Sequence, residues 1–82
     1  MLIIMIPEYT LESDNIRNIV KLLTNFEGKT LTQMKMAVNT KYSKNDSLEN
    51  LTNKLRNKTI KVTELLQILD VLGYETIIRK RV

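Results

Sequence analysis

The residues best equipped for chemistry lie between positions 47 and 61. Asn50 and Asn53 stand three apart, with Ser47 and Glu49 before them and Lys54 after. Side chains three or four apart share a face of a helix, and Leu48, Leu51 and Leu55 make a separate apolar stripe through the same stretch. The opposite side then carries Glu49, Asn50, Asn53, Lys54, Arg56 and Asn57, all polar. A helix entering a duplex groove needs this layout. Asn pairs bidentately with adenine, and Arg or Lys with guanine. Ser47, Glu49, Asn50, Asn53 and Lys54 are therefore expected to reach base edges. Asn is a poor residue for a helix interior, so two of them there suggest readout rather than packing. Basic and amide side chains at helix edges hold phosphates and fix register. Gln33, Lys41, Lys44, Asn45, Arg56, Asn57, Lys58 and Lys61 are the candidates, and Gln33 can alternatively serve as a capping partner of Thr30.

Other chemistries are short of reagents. The chain has no Cys and no His, which removes disulfides, thiolate metal sites, thiol nucleophiles and the commonest general base. Glu8, Glu12 and Asp14 suggest a solvated helix start rather than an acid–base pair. No catalytic residue, metal ligand or cofactor is expected, and the chain does not read as an enzyme. The absence of Trp and the four aromatics (Tyr 3, Phe 1) argue against a stacking platform for single strands.

The net charge is +4, and it is segregated. Residues 41–61 hold Lys41, Lys44, Lys54, Arg56, Lys58 and Lys61 against Asp46 and Glu49. Residues 62–78 carry Glu64, Asp70 and Glu75, and the tail ends in Arg79, Lys80 and Arg81. A basic middle third raises the expectation of a polyanionic partner.

At 82 residues the chain has room for one domain, spanning 1–82. Apolar periodicity places helices near 11–26, 31–40, 46–57 and 61–72. Thr10 or Ser13 can cap the first, and Gly28 stops it. Thr30 and Gln33 form a capping-box pattern for the second, whose inward residues are Met34, Ala37 and Val38. Asp46 and Glu49 form the same pattern for the third. Val62, Leu65, Leu66, Ile68, Leu69 and Leu72 give the fourth a broad apolar face, with Gly73 at its left-handed end and Tyr74 packing after it. Leu2–Ile6 and Thr76–Val82 read as short β-strands, at about 2–6 and 76–82. They must pair within one chain or across a dimer, because a lone strand leaves backbone groups unsatisfied. The fold class is mostly α. The first strand is too short to span a bilayer, so no membrane is expected and the protein reads as cytoplasmic.

Thr30-Leu31-Thr32-Gln33-Met34-Lys35-Met36-Ala37 resembles the opening helix of the helix-turn-helix unit in the phage lambda repressor and Cro-like family, with Gln33 and Ala37 at the family's Gln and close-packed Ala positions. Asn50 to Thr59 looks like its recognition helix and following turn. Glu64 to Tyr74 resembles the next helix, which ends Leu-Gly-aromatic. The resemblance covers roughly residues 14–74. Two departures stand out: Lys41 occupies the position where the family has a turn Gly, and the stretch 42–47 is a few residues longer. The resemblance implies a four-helix domain with a helix-turn-helix unit at about 31–58 and a third helix in the major groove of double-stranded DNA. It also implies a homodimer acting as a transcriptional regulator or repressor of phage or mobile-element type. The alternative is a protein partner: an interaction module of helix-turn-helix shape, such as a phage-encoded inhibitor of a nucleic-acid-binding machine.

Overall fold

The computed structural model describes residues 8–82, and within them the chain forms four helices. They are α1 (Ile16–Phe26), α2 (Leu31–Lys41), α3 (Leu48–Asn57) and α4 (Val62–Val71). One side of each contributes to a single core. Ile19, Val20 and Leu23 come from α1, Met34 and Val38 from α2, and Leu51 and Leu55 from α3. Leu65, Ile68 and Leu69 come from α4, with Leu72 just after it. The stripe expected on α3 is the one that is buried, with Leu48 partly so. In α2, Met34 and Val38 are buried as expected, and Ala37 is half-buried at the edge. No helix among the described residues is long and apolar enough to cross a membrane.

Capping explains where the helices start. Thr30 accepts the Gln33 N–H (3.1 Å) and Gln33 Oε1 accepts the Thr30 N–H (2.9 Å), so the expected capping box closes α2. The other starts differ from expectation. α3 is capped by Ser47, whose Oγ accepts the Asn50 N–H, and not by Asp46. α1 begins at Ile16 rather than near residue 11, because neither Thr10 nor Ser13 caps it. Asn15 occupies the cap position, but its side chain turns back to the Thr10 carbonyl and the Glu12 N–H, making a turn instead of a helical start.

The helix ends share one device. Gly28, Ser43, Lys58 and Gly73, evenly spaced along the chain, all adopt left-handed backbone, with φ of 70°, 53°, 58° and 87°. In each case the next residue's N–H reaches the carbonyl five positions back: Lys29 to Thr24, Lys44 to Asn39, Thr59 to Lys54 and Tyr74 to Leu69. This is the Schellman closure, which satisfies the last carbonyls of a helix. The expected end at Gly73 with Tyr74 packed behind it is present. The turn between α2 and α3 reverses at Ser43, so Ser43 does what a turn glycine does and Lys41 remains helical. A side chain in this backbone region costs about 1–2 kcal/mol relative to glycine, so both ends of the α3 unit are strained.

Two further expectations need correction. Val62 and Leu66 do not join the core: they are 72% and 43% exposed, so the buried face of α4 is narrower than its apolar residues suggest. Residues 76–82 are not in a strand, and no strand is present among the described residues. The strand expected at 2–6 lies outside the described residues.

Candidate nucleic-acid interface

α3 is held at both ends by polar contacts that the sequence reading did not anticipate. At its start, two α2 side chains four residues apart converge on Asp46. The buried Lys35 ammonium lies 3.6 Å from the Asp46 carboxylate, and Asn39 donates to the Asp46 carbonyl at 2.9 Å. Lys35 is 5% exposed, so this charge is almost fully withdrawn from water and depends on its partner. At the other end, Lys54 Nζ lies within hydrogen-bond reach of both oxygens of the buried Glu64 on α4, at 3.0 and 3.1 Å. With Leu51 and Leu55 anchoring the buried side, α3 presents its opposite side in a fixed orientation.

That opposite side carries several of the residues expected to act. Glu49 and Asn50 are exposed on the first turn of α3, next to the capping Ser47. Asn53 is half-buried and its Oδ1 accepts a hydrogen bond from Arg56. Arg56, Asn57 and Lys58 are exposed at the end of the helix, and Lys61, also exposed, stands just before α4 one short turn later without a capping hydrogen bond. The structure therefore brings Ser47, Glu49, Asn50, Asn53, Arg56 and Asn57 into one stripe.

Other candidates are engaged elsewhere. Lys54, expected to read bases, is committed to Glu64. Lys41, expected at a phosphate, pairs with Asp70 on α4, and the Tyr42 hydroxyl donates to the same carboxylate. The hydrogen bond from Lys41, then that from Tyr42, holds the Asp70 carboxyl below its ordinary range. The same bonds to Asp70 hold the Lys41 ammonium and the Tyr42 phenol above theirs. Gln33 is exposed at the start of α2 with its carbonyl oxygen used in the capping box, so its amide N–H groups are what it can offer a phosphate. Lys44 is half-buried and Asn45 exposed, both in the α2–α3 turn.

The charge segregation along the chain becomes ion pairing in space. Asp14 before α1 pairs with Lys58 at 3.0 Å, while Glu64 and Asp70 on α4 take Lys54 and Lys41. Among the described residues Lys44, Arg56 and Lys61 make no ion pair, so the basic segment offers fewer available cations than its composition implies. No group of three or more His, Cys, Asp or Glu side chains among the described residues is placed to hold a metal ion.

Lys35, Asp46 and the Lys54–Glu64 pair were the functional surroundings missed. Lys35 and Asn39 at i and i+4 were a legible pairing, but nothing in sequence marks a lysine as buried. Searches against protein-family models, curated proteins and solved structures find no match to this chain.

Proposed function

We propose that this protein binds double-stranded DNA sequence-specifically. α2 and α3 act as a helix-turn-helix pair, α3 enters the major groove, and the domain is of lambda repressor-like type. The observation that carries the reading is the polar stripe of exposed Glu49, Asn50 and Arg56 with half-buried Asn53, on a helix braced at both ends, by Asp46 and by Lys54. Base readout demands side chains held in fixed register, and bracing of this kind supplies it. Asn50 is the leading base contact, because it is exposed and its side chain accepts or donates no hydrogen bond within the protein among the described residues. Arg56, Lys61 and Lys44 hold phosphates, with Lys58 joining them when it leaves Asp14. Regulation follows by exclusion: occupying an operator blocks another protein. The tail exposes Ile77, Ile78 and Val82, which supports a homodimer formed by pairing tails.

The test is titration of the wild type and Asn50→Ala against a duplex selected from a random pool and a scrambled control. Asn50→Ala is expected to cost about 1–3 kcal/mol on the selected duplex and almost nothing on the control. Equal losses on both assign Asn50 to the backbone, and no binding by the wild type at low salt refutes the reading. The exposed Val62 and Leu66 on α4 favour a second reading, a protein partner docked on that helix, which the last outcome would support.

A further inference from the structure

A cleft of about 220 Å³ opens between the start of α1 and the end of α3. Ser13, Asp14 and Arg17 line it from one side, Arg56 and Lys58 from the other, over an apolar floor that includes Leu55. A water occupies about 30 Å³ of liquid, so a tetrahedral oxyanion fits with part of its hydration. Three cations and one carboxylate line this concavity. Asp14 pairs with Lys58, Arg56 bonds the neutral Asn53, and Arg17 makes no ion pair with any described residue. The cleft thus keeps a positive excess, and two of its lining residues are arginines, whose forked donors match phosphate oxygens.

We propose that this cleft holds one backbone phosphate of the bound duplex, with Arg17 and Arg56 as its forked donors, Lys58 as a third cation and Asp14 as the group that yields. The assignment rests on the DNA-binding reading and extends it to α1, which that reading leaves idle. The Arg56–Asn53 bond joins the cleft to the polar stripe of α3, so a phosphate held here lies beside the groove that α3 enters. Asp14 and Lys58 have side chains 84% and 63% exposed, and exposed pairs of this kind exchange at little cost. In the unbound protein Asp14 shields Lys58. A phosphate displaces it.

The experiment uses the full chain, isotopically labelled, in two titrations. With inorganic phosphate in low chloride, saturable amide shifts are expected at Arg17, Asn18, Arg56 and Lys58, weakened several-fold by Arg17→Gln. Non-saturating shifts spread over Lys44, Lys61 and the tail mean an adventitious ion only and overturn the cleft. With duplex, Arg17→Gln is expected to weaken selected and scrambled sequences alike, and to flatten the log K against log salt slope by about one. Asp14→Asn is expected to tighten both several-fold. Thermal melts confirm that each variant is folded. If the wild type binds duplex with a salt-dependent affinity that neither variant changes, the cleft assignment fails while the DNA reading stands. If the wild type binds no duplex yet shows saturable phosphate shifts, the DNA reading fails and the backbone assignment with it.

Discussion

Lys58 combines a strained backbone with a charge at the proposed phosphate site, and substitution separates the two. Lys58→Gly removes the left-handed penalty of about 1–2 kcal/mol. Against this stands about 0.5–1 kcal/mol for the greater freedom of glycine in the unfolded chain. The exposed pair with Asp14 accounts for at most about 0.5 kcal/mol more. The net is a gain of about 0.5 kcal/mol, which in a domain of this size raises the melting temperature by about 2–4 °C. Lys58→Ala keeps the strain and loses the pair, so it is expected to melt at or slightly below the wild type. Both variants lose the same charge, so both should weaken every duplex equally and flatten the salt slope by about one. The assays are thermal melts and duplex titrations at several salt concentrations, run on both variants. A glycine variant that melts below the alanine variant refutes the backbone argument. Unchanged binding in both removes Lys58 from the interface.

Lys54→Met leaves Glu64 buried without its cation and is expected to destabilise by about 2 kcal/mol, between the values for exposed and fully buried pairs, with most of the loss recovered in Lys54→Met/Glu64→Gln; urea melts of the single and double variants check this. The Asp70 carboxyl is held below its ordinary value of 3.8, so its contribution to stability is complete above that pH and is lost as the pH falls through the lowered value. Urea midpoints of the wild type and Asp70→Asn should therefore differ at neutral pH and converge in acid; a gap that persists at the lowest pH refutes the assignment. With Lys41 and Lys54 engaged, and Arg17, Arg56 and Lys58 sharing one phosphate, about three phosphates remain for that cleft, Lys44 and Lys61. The salt slope should then be about −3, where six contacts from the basic segment alone would give about −5.

Local rules made much of the architecture legible. The apolar periodicity of Leu48, Leu51 and Leu55, the Thr30–Gln33 box and the Gly73–Tyr74 ending depend on residues within one helical turn, and all are present in the structure. What was not legible depended on residues far apart. Asp46 reads as a cap by spacing, but Lys35 and Asn39 of α2 claim it, and Ser47 takes the cap. Lys54 reads as a reader of bases until Glu64 is found beside it. Val62 and Leu66 show the converse limit: an apolar residue on a helix is buried only if a neighbour reaches it, and periodicity does not say how wide the neighbour is. The left-handed Ser43 could not be foreseen, because the residue type gives no sign of it.

The folding of acidic segments back onto Lys41, Lys54 and Lys58 also bears on how quickly a partner is found. A separated block of positive charge projects a field beyond the Debye length of about 10 Å and steers a polyanion from a distance. Here each of those cations has a carboxylate within contact distance, so the far field shrinks while the near field at Arg56 and Lys61 survives. Association should then approach the unsteered range of about 10⁵–10⁶ M⁻¹s⁻¹ rather than the electrostatically guided limit. Weak long-range attraction also shortens each non-specific stay on DNA, so the search would proceed by many brief three-dimensional encounters more than by long slides. Discrimination would then come late, after contact, when the amides of α3 meet base edges and Asp14 releases its lysine.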